Sequence, residues 1–316
     1  RINVRWGNDA SSMLFAGVMP ALAPAISDNL SEVVQTVRIR KDYEAAFKNK
    51  ELQEIREENA FFADPQIFDM FNFKLTAGNP DKLLNDAFSV VIAQSIAEKY
   101  YPGENALGKT LAYGEQQLNI TGIYEDLPQN THLPAQILIS YETLKALNIY
   151  PEMPWNSWGN DLTYLLLNPG SAPQTVLEQL PELLRVNAGE WFAKQVTFYM
   201  QPLSQIHWET EARGDVGAKG KLLYIYLFLS AAILILVIAC FNFINLSTSR
   251  YFKRMKEVGI RKVIGAGRRQ LIWQFMMESL LIIFLAMFIS IAAFETLHPL
   301  LYRYLDSQVV FDAIHL

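Results

Sequence analysis

The sequence predicts an α+β domain followed by a transmembrane α-helical hairpin. Three observations carry this. Residues 222–249, LLYIYLFLSAAILILVIACFNFINLSTS, hold no charged side chain. As a helix they reach about 40 Å at ~1.5 Å per residue, more than the roughly 30 Å of bilayer hydrocarbon. A second apolar run, residues 271–294, follows after the basic segment RYFKRMKEVGIRKVIGAGRR. Upstream, strand-like and helix-like segments intermix without a strong repeat or a low-complexity tract, the pattern of an α+β fold with mixed sheets. The expected division is 1–221 and 222–316. The second part comprises spans at about 222–248 and 271–294, a connection at 249–270, and the start of an outer loop at 295–316.

The elements of the first part follow in order. Residues 12–28 predict a helix, ending before the strand-like VVQTVRIR, where Val33, Val34, Val37 and Ile39 alternate imperfectly. Residues 52–63 predict a second strand. In FFADPQIFDMFNF, Asp64-Pro65 marks a helix start with proline at the first helical position. The neighbouring Phe61, Phe62, Phe68, Phe71 and Phe73 are core candidates. NPDKLLNDAF predicts a short helix, SVVIAQ a buried strand and SIAEKYY a helix. KTLAY and QLNITGIYED form two strands joined at Gly114. AQILISYETL is strand into helix, LTYLLLNP a strand, APQTVLEQLPELLRV a helix, and KQVTFYMQPLSQI a long last strand leading to the membrane.

Charge separates the two parts. Residues 1–221 carry 18 Lys and Arg against 27 Asp and Glu, and residues 222–316 carry 9 against 5. Eight of those nine cations lie between Arg250 and Arg269, with Glu257 the only acid among them. Lys and Arg near span ends set orientation. The approach to the first span holds Arg213, Lys219 and Lys221, and the segment after the second holds only Arg303. The basic connection is therefore expected in the cytoplasm and residues 1–221 outside. Cys240 is the one cysteine, inside an apolar run, so a disulfide framework and a cysteine metal site are excluded. The chain opens on Arg1 without a methionine and stops soon after the second apolar run. A fragment is expected, with a further span upstream and more sequence downstream.

Chemistry-bearing motifs are few. Residues 103–110, GENALGKT, satisfy the phosphate-loop pattern letter for letter. Phosphate binding requires a strand before such a loop and a helix after it. Here the order is reversed, and a structural turn is expected. His132, His207, His298 and His315 are scattered, with no partner at metal-ligand spacing. No hydrolase or zinc-protease motif occurs. Trp155 and Trp158 suit a buried loop anchor better than a ligand platform; Trp191 and Trp208 are isolated.

The basic connection interleaves Val258, Ile260, Val263 and Ile264 with its cations, an amphipathic helical pattern. Three roles compete: a topology-setting loop near anionic lipid, a docking helix for a cytoplasmic protein, and nucleic-acid binding. Its confinement between two spans disfavours the last. Gly259, Gly265 and Gly267 permit close approach or a turn. Ser230, Asn242, Asn245 and Ser247 within the first span suit helix–helix hydrogen bonds. Glu278, near the cytoplasmic end of the second span, must face protein or the interface.

The stretch FNFINLSTSRYFKRMKEVGIRKVIGAGRRQLIWQFMMESLLI resembles the segment joining two spans in FtsX-like ABC-transporter permeases. Its KEVGIRKVIGA followed by QF and ES is the most specific part. FFADPQIFDMFNFKLTAGNP, VVIAQSIAEKYYPGENALGKTL, ITGIYEDLPQNTHLPAQILIS and VTFYMQPLSQIH are similar to the MacB-type periplasmic core domain. The resemblance implies four spans per unit, of which this chain holds the second and third, in a bacterial inner membrane. It also implies a cytoplasmic ABC ATPase as a separate subunit that binds the ATP, so the chain itself takes no cofactor and is not an enzyme. A dimer of permease units or a second permease half, and in some members a periplasmic adaptor, complete the assembly. The implied docking core is Lys256, Glu257, Val258, Gly259, Ile260, Arg261, Lys262 and Gly265, with Asn242, Asn245 and Glu278 packing the spans. The alternative is a membrane-anchored binding or sensor protein without a motor.

Overall fold

The computed structural model describes residues 1–7, 12–48, 53–128, 130–149, 154–155, 161–208, 212–217 and 219–305, with backbone only at 250–253 and 300–305. The chain divides into two compact units, Arg1–Ile225 and Tyr226–Leu316.

The first unit runs β1 (Ile2–Trp6), β2 (Met13–Phe15), α1 (Leu22–Asn29), β3 (Val33–Lys41), β4 (Ala46–Lys48), β5 (Glu54–Arg56) and β6 (Ala60–Ala63). Then come α2 (Ile67–Met70), β7 (Leu75–Gly78), β8 (Ser89–Ala93), α3 (Gln94–Tyr100), β9 (Thr110–Tyr113), β10 (Gln116–Tyr124), β11 (Ile137–Ser140) and α4 (Glu142–Ala146). It closes with β12 (Asp161–Leu167), α5 (Pro173–Ala188), α6 (Glu190–Gln195) and β13 (Val196–Met200). The strands hydrogen-bond in the order β13-β1-β12-β3-β6-β11-β8-β10-β9-β4-β5, with β2 on β1 and β7 on β10. Among the described residues, β8–β10 and β6–β11 pair in parallel and the other pairs are antiparallel. This is the mixed α+β architecture expected.

Two cores share the sheet. One is built on β6, β8, β10 and β11, with Phe61, Ile92, Ile120, Ile137 and Ile139 fully buried. The other lies where α1 and α5 cover β1 and β13. Val176, Leu180 and Leu184 recur every four residues and form the buried stripe of α5.

The predicted helix at 12–28 is corrected. Met13–Phe15 is a strand paired with β1 (Val4↔Phe15, Trp6↔Met13), and the helix begins only at Leu22. Antiparallel pairing with the neighbouring β1 overrides helical propensity there. The strand at 52–63 is two strands, β5 and β6. The helix after Asp64-Pro65 is one turn, ended by Phe71 in extended conformation, and the Asp64 carboxylate is held by Arg38. The expected helix at NPDKLLNDAF is a single 3-10 turn over Pro80–Lys82. The long last strand stops at Met200, just before Pro202, which has no N–H to continue a ladder.

β3 runs between β12 and β6 and carries the charge that ties them. Arg38 Nε donates to Asp64 Oδ2 at 2.9 Å and Nη2 to Oδ1 at 2.7 Å, and its backbone N–H adds a third bond to Oδ2 at 2.8 Å. The guanidinium lies 3.9 Å over the Tyr141 ring. Tyr141 donates to Asp161 Oδ1 at 2.8 Å, and Arg40 stands 3.7 Å from Asp161 Oδ2. Burial pushes the Asp161 carboxyl up from 3.8 to about 6, against the pull of Arg40 and the Tyr141 hydroxyl.

The segment leaving the domain is sewn to it. Arg213 N–H donates to Leu14 O and Ala16 N–H to Arg213 O, both at 2.9 Å. Gly220 N–H donates to His207 O at 2.8 Å, and Lys219 Nζ to Ala212 O at 2.8 Å. A Cβ at Gly217 would overlap the carbonyl of His132, so only glycine allows that approach.

The second unit is a pair of long helices: α7 (Leu222–Val263, 42 residues), which begins at the end of the first unit, and α8 (Arg268–Leu305, 38 residues). Leu222–Ser249 and Arg268–Pro299 are long and apolar enough to cross a membrane. The expected connection at 249–270 is corrected: residues up to Val263 continue α7, and only 264–267 form a turn. Gly265 makes it, at φ +99°. Gly259 lies inside the helix.

Two outcomes are expected. Arg38→Met strands the buried Asp64 carboxylate and costs about 3–5 kcal/mol in denaturant unfolding, whereas Arg38→Met with Asp64→Leu recovers most of that. Asp161 holds its proton more tightly folded than unfolded. Its contribution is therefore full below about pH 4 and lost as pH rises through about 6. Asp161→Asn should flatten the fall in Tm across that window; an unchanged slope would exclude this carboxyl as its source.

Candidate coupling site at the helical turn

After Ser249 the helix α7 changes from apolar to basic without a break. Residues 250–263 add about 21 Å at ~1.5 Å per residue. About 100° separates successive residues, which sorts this extension into two faces. Arg254, Glu257, Val258 and Arg261 fall on one side, and Lys256, Gly259, Ile260 and Val263 on the other.

The first side meets α8. Arg254 grips Glu278 with both nitrogens, Nη1 to Oε2 at 2.8 Å and Nη2 to Oε1 at 2.5 Å. Its guanidinium also sits 5.4 Å over the Phe275 ring. Nearer the turn, Arg261 donates to Gln274 Oε1 and to Glu257 Oε1, both at 2.6 Å. The groove between the helices, about 470 Å³, is lined by Phe243, Ser247, Val258, Ser279 and Ile282 around the Arg254–Glu278 pair.

The opposite side is bare. Lys256, Gly259, Ile260, Val263 and Ile264 line one shallow apolar surface, with Val263 89% and Ile264 79% exposed. The turn itself is closed by Ala266 N–H to Arg261 O at 2.9 Å and Gly265 N–H to Lys262 O at 3.2 Å.

The eight candidate docking residues are thus not brought to one face. Val258 lines the groove and Arg261 reaches α8 through Gln274, with Glu257 paired to Arg261; Lys256 and Ile260 lie opposite; Gly259 lines both surfaces; Lys262 lies between, and Gly265 shapes the turn. Asn242 and Asn245 are exposed on α7. Glu278 faces protein, through Arg254. Sequence reasoning missed Arg254, Gln274 and Phe275. The one signal for them is Glu278 itself, an acid in an apolar run that demands a cation nearby.

Elsewhere the motif candidates are structural. Residues 103–110 follow α3 and lead into β9; Lys109 pairs with Glu104 and stands 4.9 Å from the Tyr101 ring centre. The described residues contain no group of three His, Cys, Asp or Glu able to hold a metal. Trp155 packs against the second core, and Trp158 and His315 lie outside the described residues. Trp191 meets Trp6 edge-on at 6.3 Å, and Trp208 meets His207 at 4.7 Å.

Comparison with known proteins matches this architecture. The MacB-like periplasmic core domain profile covers residues 2–183, and the FtsX-like permease C-terminal profile covers residues 229–315. The macrolide export ATP-binding/permease protein MacB of Neisseria gonorrhoeae is 26% identical over 221 residues, 69% of this chain and 32% of that protein. Its counterpart in Neisseria meningitidis serogroup A is 25% identical over 220 residues, again 69% of this chain and 32% of the relative. The chain therefore spans about a third of the length of the curated relatives it matches. A crystal structure of a domain assigned to a permease protein from Porphyromonas gingivalis shares the fold, with a TM-score of 0.54 at 24% identity over 71% of this chain and 94% of that domain. With a MacB-like core domain over more than half its length and FtsX-like helices behind it, the chain belongs to the MacB/FtsX-like family of ABC transporter permeases.

Proposed function

We propose that this chain transmits the work of a separate cytoplasmic ABC ATPase to its own sheet domain on the outer side of a bacterial inner membrane. The ATPase binds and hydrolyses ATP; this chain supplies no catalytic group. The observation that carries the reading is α7. One unbroken helix of 42 residues starts at the end of the sheet unit and finishes at an exposed apolar and basic face. A helix without a hinge moves its two ends together, so displacement of the turn becomes displacement at Leu222.

In this scheme Ile260, Val263 and Ile264 fill a socket on the ATPase, and Lys256 and Lys262 set its orientation. ATP binding draws two ATPase subunits together, and each moves one permease unit, either a second copy or a second permease half. The outer domains then change their spacing and act on cargo, alone or through a periplasmic adaptor. Coupling of this kind requires two states that the ligand binds unequally.

The relatives' name joins ATP binding and permease in one protein, which favours a second arrangement with the ATPase elsewhere on the parent chain. Purification of the parent protein separates the possibilities. A stoichiometric ATPase subunit supports the first arrangement, and ATPase activity intrinsic to the chain supports the second. Neither would leave a membrane-anchored sensor.

Ile260→Glu with Gly259→Glu should abolish stimulation of the partner ATPase while membrane insertion stays intact; undiminished stimulation rejects the docking role. Topology is checked separately. On a Cys240→Ser background, Val263→Cys should react with an impermeant maleimide only after the inner membrane is opened. Labelling of sealed spheroplasts from outside would reverse the proposed orientation.

A further inference from the structure

We propose that Arg254 and Glu278 are positioning residues that lock α7 and α8 into one lever, so that force applied at the turn reaches the spans through both helices. This rests on the transmission reading and goes beyond it, because neither residue belongs to the docking face.

Four observations support the assignment. The pair is bidentate, with two nitrogens on two oxygens, a geometry that fixes the planes of both groups and resists sliding as well as separation. Arg254 is held from a second direction by Phe275. A second rung, Arg261 to Gln274, lies nearer the turn and crosses between the same two helices. Both rungs spring from the side of α7 opposite Lys256, Ile260 and Val263. The helix thus devotes one face to its neighbour and leaves the other open.

Position explains why a partly exposed pair matters. In bulk water such a pair is worth little. Arg254 stands five residues beyond Ser249, where the apolar run ends, and Glu278 lies within the apolar stretch of α8. Beside hydrocarbon each charge is expensive alone and the attraction between them is less screened. The turn at Gly265 ties the helices only at their tips. Without a rung further up, each helix could pivot about that turn, and a push on α7 would splay the hairpin instead of moving it.

The test compares Arg254→Glu, Glu278→Arg and the exchange Arg254→Glu/Glu278→Arg in the full parent protein, reconstituted with its ATPase. Each single variant should still bind the ATPase, since the docking face is untouched. Stimulated ATPase turnover should drop about tenfold, and the exchange should restore most of it, the signature of direct coupling between two residues. A structural readout accompanies this. Spin labels on Leu246 and Leu285, above the brace, should give a narrow distance distribution in the wild type and the exchange, and a broad one in each single variant. Singles as coupled and as narrow as wild type would overturn the brace alone, as would an exchange that inserts and binds the ATPase but stays uncoupled. A wild type that engages no ATPase would overturn the transmission reading and the lever with it.

Discussion

A backbone amide surrounded by hydrocarbon has no water to bind, and the two apolar helices of the second unit meet that one requirement. A run of 28 residues without a charge must satisfy its own N–H and C=O groups, and the α-helix does so within the segment. Once the backbone is settled in this way, side chains carry the remaining information. Charges are pushed to the ends of the runs, which is why the cations gather between Arg250 and Arg269. The two apolar helices, each long enough to cross a membrane, are joined by a tight reversal, and Gly265 supplies its positive φ. A charge left inside, Glu278, needs a partner, and Arg254 is in reach. Each feature answers a problem set by the one before it.

The sheet unit faces the opposite problem. Its strands come from distant parts of the chain, and period alone does not say which neighbours which. β3 touches β12 along nearly its whole length but β6 through only three residues at its end, Ile39 to Lys41. The Arg38–Asp64 pair sits at that short junction and links on through Tyr141 to Asp161 at the start of β12. A buried ion pair contributes little net stability against apolar residues of the same size. It does penalise any pairing that leaves a charge without its partner, so its weight falls on register. The same logic holds at the exit strap, where Asp215 is buried against Arg1 and Lys219.

Much of this was legible in the sequence, and what was not has common causes. The spans, the buried strand Ser89–Ala93, the hairpin at Gly114 and the stripe of α5 are local patterns, and local patterns survive translation into structure. β1, β2, β4 and β7 escaped notice because each is short and exists by virtue of its pairing, with β13 and β10 far along the chain for β1 and β7 and with the neighbouring β1 and β5 for β2 and β4. The false helix at 12–28 has the same origin. At the candidate site the sequence marked a segment but took its residues as a string. Whether Glu257 and Ile260 share a face is a question of angle, and angle is decided only once the helix is known to run unbroken through Gly259. Gly259 itself invited a break. Continuous helix on both sides, with no competing cap, left that invitation unused.

The P-loop pattern and the coupling segment make an instructive pair. Residues 103–110 match a well-specified motif but follow a helix and lead into a strand, and Lys109 pairs with Glu104 beside the Tyr101 ring. Residues 256–265 match no catalytic motif, yet their surroundings are decisive: a rigid helix behind, a glycine turn ahead, a braced side and a bare side. Under the proposed transmission, function resides in mechanical context more than in reactive groups. A surface that only has to be gripped needs exposed apolar side chains and a few cations for orientation. The part that must not yield needs cross-links. Dividing those tasks between opposite faces of one helix lets the gripped residues vary with the partner while the lever behind them stays stiff.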